Sequence, residues 1–136
     1  MTRLATPFLV LIALAACAPP EPPEGNAAEG ALFFAETCAA CHGADAKGDG
    51  PASAGLDPRP ADLTRIAARN GGAFPDDWVM STINGFHRDS RPGTAMPAFG
   101  AEAFGPTIIV ERTPGLGTPI PVMLLALSRY LETIQE

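Results

Sequence analysis

The chain has 136 residues, 46% of them hydrophobic, and a formal net charge of −6, which allows one packed domain with a short addressing segment but not two full domains. With no basic stripe to neutralise phosphates, nucleic-acid binding is excluded as a role; an acidic surface suits a partner with a basic docking face, or simply keeps the chain soluble. Cys17, Cys38 and Cys41 are odd in number, so a plain disulfide framework leaves one of them unexplained.

Met1-Thr2-Arg3 is a short positive start, and residues 4–16 are apolar apart from Thr6 and Pro7. That stretch is too short to cross a bilayer as a helix and reads as a secretory signal. Leu14-Ala15-Ala16-Cys17 resembles the bacterial lipoprotein box, in which cleavage leaves the cysteine first and lipid is added to it. The competing reading is an ordinary signal peptide with an incidental cysteine. The expected organisation is therefore a signal over residues 1–16, a lipid-anchored tether over 17–25 and one domain over 26–136. In the tether, Ala18-Pro19-Pro20-Glu21-Pro22-Pro23-Glu24-Gly25 offers nothing to a core, and its prolines favour an extended, semi-rigid chain. This places the domain on the periplasmic side of a bacterial membrane.

Asn26 with Glu29 three residues on forms an Asn variant of the capping box, so a helix is expected from Ala27 to Cys38, with Phe33 and Phe34 supplying apolar contacts. Residues 43–60, rich in Gly, Pro and Asp, read as loop. Pro60-Ala61-Asp62 opens a short helix stopping at Gly71-Gly72, with Leu63 and Ile66 facing inward. Pro75-Asp76-Asp77 suits the first turn of a third helix ending at Gly85. His87 to Ala95 is loop again. Thr107-Ile108-Ile109-Val110, followed by Pro114-Gly115, points to a small hairpin over 107–117. Thr118-Pro119-Ile120-Pro121 leads into a last helix reaching about Gln135, in which Val122, Leu125, Ala126, Tyr130 and Leu131 recur at helical spacing. Such a helical domain, held together by long loops, calls for something large at its centre.

Cys38-Ala39-Ala40-Cys41-His42 is a C-x-x-C-H run, the signature of covalent c-type haem attachment. Two thiols add across the vinyl groups as thioethers, and the adjacent histidine lies under the iron as an axial ligand. Three other readings compete. A thioredoxin-like redox pair needs a strand before it, where an amphipathic helix is expected instead. A zinc site needs a fourth ligand, with only His87 or a carboxylate on offer. A disulfide over so short a loop would stabilise little. The secretory segment agrees with the haem reading, because attachment at such sites takes place outside the cytoplasm.

From Asn26 to Gln135 the chain resembles class I cytochrome c of the small bacterial kind. The resemblance rests on Gly30 and Phe34 ahead of Cys38, on Ala40 and Gly43 around the haem motif, and on the Tyr130-Leu131 pair in the last helix. It implies an all-α cytochrome c fold of three to five helices around one covalently bound haem c, with Gly30 allowing the first and last helices to cross closely. Gly48-Asp49-Gly50-Pro51 and Pro58-Arg59-Pro60-Ala61-Asp62-Leu63 look like the loop below the haem, where a proline carbonyl accepts the second imidazole proton and raises ring basicity. Pro58 and Pro60 are both candidates, with Pro58 preferred. Met96, followed by Pro97, matches the family's other axial ligand, a soft thioether that raises the reduction potential. Gap-filling is the alternative for any methionine and is expected for Met80 and Met123.

His87 is the rival sixth ligand, against the reading that it is a solvated side chain. Trp78 is expected to pack in the core rather than reach a haem propionate. Arg59, Arg65, Arg88 and Arg91 all stand as propionate partners. Residues 100–119 are longer and more β-branched than in the smallest members, wrapping the methionine side or forming a partner surface. The function implied is one-electron transfer between redox proteins, with no small-molecule substrate. The alternatives are a haem-bearing subunit docked in a larger oxidoreductase, or a ligand-binding haem sensor.

Overall fold

The computed structural model describes residues 24–86 and 96–136. The signal segment, Cys17, most of the tether and the loop from His87 to Ala95 lie outside the described residues.

Helix α1 (Ala27–Thr37) opens on the expected capping box. The Glu29 N–H donates to Asn26 Oδ1 at 3.0 Å, and the Asn26 N–H donates to the Glu29 carboxylate at 2.9 Å. Two amides that the helix leaves without partners are thereby satisfied. The helix stops one residue short of Cys38, whose N–H donates to Phe34 O at 2.8 Å. Cys38 then caps α2 (Ala39–His42), a single turn carrying Cys41 and His42. The sequence reading ended its helix at Cys38 and did not foresee the separate turn over Ala39–His42, since nothing in Ala39-Ala40 marks a new start.

After a 3-10 turn at Pro51–Ser53, a second one over Leu63–Arg65 runs into α3 (Ile66–Arg69). The helical stretch begins at Leu63 rather than Pro60 because Asp62 is its cap, accepting from the Thr64 N–H at 2.9 Å and the Thr64 hydroxyl at 2.7 Å. Helix α4 (Asp76–Asn84) has both aspartates in its first turn and ends at Gly85, which takes φ +98°. Only glycine adopts that conformation without strain.

A 3-10 turn at Ala101–Phe104 precedes β1 (Thr107–Thr113), which pairs antiparallel with β2 (Leu116–Pro121). The hairpin extends further than residues 107–117. Ile108 lies opposite Ile120 and Val110 opposite Thr118, so the run read as a lead-in to the last helix is a strand. Helix α5 (Val122–Thr133) follows directly, its Val122 N–H donating to Pro106 O at 2.8 Å. The described residues thus hold five helices, two of them single turns, and one small antiparallel sheet. This is a mostly helical, cytochrome c-like arrangement.

The core lies where α1 crosses α5. A Cβ at Gly30 would run into the Ala126 carbonyl, so the backbones meet with no side chain between them. Phe34 is buried beside Tyr130, with ring centroids 5.3 Å apart, and Leu124, Leu127 and Leu131 fill in around it. From α4, Val79, Met80 and Ile83 join the same cluster. Met80 is buried and Met123 half-buried, the packing positions expected of them. Phe104 is fully buried, against Phe33 at 5.7 Å and Phe99 at 6.0 Å. Residues 100–121 therefore cover one end of the core. On the outside, Arg112 of β1 reaches Asp76 at 2.8 Å and Asp77 at 2.9 Å, tying the hairpin to the first turn of α4.

Candidate functional site

Below the α1–α5 crossing lies a cavity of about 400 Å³, within the range of small-molecule and cofactor pockets. Its wall is mostly apolar: Phe34 and Leu131 from the core, Ile66 from α3, Val79 and Ile83 from α4, and Phe99 near the hairpin. Cys38, Cys41, His42, Pro58 and Met96 are all on this wall, although they are scattered through almost sixty residues of sequence. Cys17 and His87 fall outside the described residues.

Local backbone geometry fixes the C-x-x-C-H turn. The chain folds back beneath it, with the Gly48 N–H donating to His42 O at 2.7 Å and the Gly50 N–H to Cys41 O at 3.2 Å. Gly50 is glycine because a Cβ there would collide with the carbonyls of Ala39 and Ala40. Gly43, at φ +80°, ends the turn. These contacts give the cysteines and the histidine one common orientation towards the cavity.

The acceptor for His42 corrects the expectation. His42 Nδ1 lies 3.1 Å from the carbonyl oxygen of Ala61, not that of Pro58 or Pro60. The cause is the way the following segment is pinned. The Leu63 N–H donates to Ala46 O at 2.7 Å, and the Pro60 carbonyl is turned against Gly48, which has no Cβ to obstruct it. The next carbonyl along, that of Ala61, then faces the imidazole. Because a carbonyl only accepts, Nδ1 must carry the proton, which leaves Nε2 with its lone pair for a metal. Burial pushes the His42 pKa down, with the Ala61 bond opposing it, so the neutral ring is favoured.

Burial, reinforced by the neighbouring Cys41, pushes the Cys38 thiol up to about 11. Thiol–disulfide exchange centres have the opposite shift, and α1, not a strand, precedes this pair. Both cysteines are free thiols. Among the described residues no cluster of three His, Cys, Asp or Glu side chains could hold a metal ion, so the zinc reading finds no ligand set there.

Two further expectations change. Trp78 is 51% exposed and stands at the cavity wall, not in the core. Its place on α4 next to Val79 turns it off the buried stripe formed by Val79, Met80 and Ile83. Of the arginines, Arg59 lines the cavity and Arg65 does not, while Arg88 and Arg91 lie outside the described residues. Arg69, which the sequence reading passed over, is also on the wall. Its signal was available in principle, since it lies one helical turn beyond Arg65 on α3, but which of the two faces inward depends on how that short helix docks.

The donor set fits a haem c. Two free thiols and an imidazole with its outer nitrogen already engaged stand on an apolar wall together with a thioether. The chain belongs to the family described as cytochrome c oxidase, cbb3-type, subunit III, whose model matches residues 25–109. It is a c-type cytochrome, and membership implies covalently bound haem c and haem-based electron transfer. The match takes in the cavity-forming loops and stops inside β1, leaving β2 and α5 beyond it. No curated protein and no solved structure matches the chain.

Proposed function

We propose that the chain is a one-electron carrier with a single haem c, which Cys38 and Cys41 would attach through thioethers and His42 and Met96 would ligate at the iron. The observation that carries this reading is the convergence of those four side chains on one apolar cavity. When bound, the group supplies one-electron exchange at iron, its potential raised by a thioether ligand and by a dry surrounding. The protein's part is to orient. Ala61 holds the imidazole tautomer, while Phe34, Leu127 and Ile83 keep water from the wall. With His42 and Met96 both committed to the iron, the bound group would offer no open position to a substrate or a diatomic ligand. Cys17 carries a lipid, Pro-rich residues 18–25 tether the domain, and the domain works on the periplasmic side of a bacterial membrane, exchanging electrons with proteins that present a basic face.

A second reading is favoured by the matched family, whose description names a subunit of an oxidase: the domain is a haem-bearing subunit docked in a larger oxidoreductase. The electron-transfer chemistry is the same in both. The test is the visible and near-infrared spectrum of haem-loaded protein, oxidised and reduced. A sharp reduced α-band with a sulfur-to-iron charge-transfer band, the latter lost in Met96→Ala, is the expected result. A bis-histidine spectrum, or carbon monoxide binding to the reduced protein at neutral pH, would overturn the His42/Met96 assignment. Absence of covalent haem would overturn the whole reading.

A further inference from the structure

We propose that Gln135 is a positioning residue for His42: its side-chain amide fastens the end of α5 to the segment whose Ala61 carbonyl orients the imidazole. The inference deepens the haem c reading above and rests on it.

Ala61 O lies 3.1 Å from His42 Nδ1, yet Ala61 belongs to an irregular stretch, where no helix or sheet ladder fixes the direction of a carbonyl. Its place is set by bonds made from outside the stretch. Two residues on, the Leu63 N–H donates to Ala46 O at 2.7 Å. The next two carbonyls are both taken from the end of α5. Gln135 Nε2 donates to Leu63 O at 2.9 Å, across 72 residues of sequence, and the Glu136 N–H donates to Thr64 O at 2.9 Å. Leu63 is thus gripped at its amide by the loop after His42 and at its carbonyl by α5.

The surroundings of Gln135 use both ends of its amide. Oε1 accepts from the Ala67 N–H at 2.8 Å, in the first turn of α3. Nε2 donates to Leu63 O and also, at 2.6 Å, to Leu131 O, a carbonyl of the last turn of α5. Such carbonyls have no partner within their own helix. Ala67 can only donate there and the two carbonyls can only accept, so the amide has one orientation that satisfies all three. One half-buried side chain therefore joins α5, the 3-10 turn at Leu63–Arg65 and α3. The nearby Lys47–Glu136 pair, 3.3 Å apart, is well exposed on both sides and adds little. Groups that hold the acceptor of a ligating histidine fix its ring and its basicity at one remove. Gln135 stands in that relation to His42.

The experiment follows exchange of the His42 Nδ1 proton by NMR in reduced holoprotein, together with the midpoint potential. Wild type is compared with Gln135→Met, Gln135→Lys and Thr133→Ala. Gln135→Met keeps the length and neutrality of the side chain and loses all three bonds. Nδ1 exchange should quicken by about tenfold, the order expected when two net hydrogen bonds to the segment are lost, while the main-chain amides of α1 exchange as before. The potential should rise, because a weaker Nδ1–H bond makes the imidazole a poorer donor to ferric iron. Gln135→Lys keeps donors for the two carbonyls and loses only the acceptor, so its exchange should fall between the two. Thr133→Ala removes a hydroxyl bond to Tyr130 O at the same helix end without touching the segment, and should match wild type. In wild type itself, the Gln135 side-chain amide protons should be protected and show a through-hydrogen-bond coupling to the Leu63 carbonyl carbon. Wild-type exchange and potential in Gln135→Met would overturn the proposal. So would the same change in Thr133→Ala, quickening shared equally by the α1 amides, or absence of the Leu63 coupling. Failure of the underlying reading is distinct: it shows as wild-type protein without covalent haem.

Discussion

Ser128 sits 2% exposed in the middle of α5, and its hydroxyl is a buried polar atom without a hydrogen-bond partner among the described residues. A buried donor left unmatched costs about 1–3 kcal/mol relative to an apolar replacement. Ser128→Ala should raise the unfolding free energy of the holoprotein by about 1 kcal/mol, measured by denaturant titration; a loss of stability would show that the hydroxyl has a partner. Glu29 provides the opposite case. The Asn26 amide, then that of Glu24, holds its carboxylate below the ordinary value of 4.5. A depressed carboxylate stabilises the fold fully above its unfolded pKa, and the contribution is lost as pH falls through the lower folded pKa. Acid unfolding below about pH 4.5 should therefore be less steep in Glu29→Gln than in wild type, with the two curves parallel near neutrality.

At the scale of elements, the α1–α5 crossing depends on one missing side chain. In an open helix, Gly→Ala would gain about 1 kcal/mol from propensity. At Gly30 the added methyl meets the Ala126 carbonyl, a backbone group that cannot move aside without shifting α5. Overpacking of this kind costs about 1–3 kcal/mol or more. Gly30→Ala should thus lower the melting temperature and, because Phe34, Leu127 and Leu131 move with the helices, disturb the haem spectrum; an unchanged or raised melting temperature would show that the helices are not in contact there. The hairpin is attached differently. Arg112, its guanidinium shared between Asp76 and Asp77, clips β1 to α4, while Phe104 anchors the preceding turn in the core. The stretch that looked ambiguous in sequence covers one end of the core and leaves Ile109 and Leu116 exposed on the outer strands.

For the whole molecule, a net charge of −6 on a chain of this size acts at distances beyond any single contact. If electrons pass to partners with basic faces, association rates measured by stopped flow should fall steeply with salt, since steering is screened within about 10 Å at 0.1 M ionic strength. Salt-independent rates would remove the basic partner from the proposal. Anchoring has its own test. Cys17→Ser should move the haem protein from the membrane fraction to the soluble one, and undiminished retention in membranes would show that lipid on Cys17 is not the anchor.

The chemistry could be read directly from the chain, because thioether attachment and capping depend on residues a few positions apart. C-x-x-C-H, Asn26 with Glu29, and Gly85 at the end of α4 are local instructions of this kind. The close crossing at Gly30 was also readable, through the resemblance to a known helical arrangement, whereas the Phe34–Tyr130 contact emerged only with the fold. Tertiary structure decided what depends on how distant segments dock. The Ala61 carbonyl faces His42 because Ala46 and Gly48 pin the segment beside it. Trp78 stands at the cavity wall because α4 buries its neighbours. The choice of Arg69 over Arg65 follows from the docking of a four-residue helix too short to show a periodicity. Local sequence carries the identity of reactive groups and caps, whereas a hydrogen-bond acceptor or a cavity-lining charge is selected by packing between segments far apart in the chain.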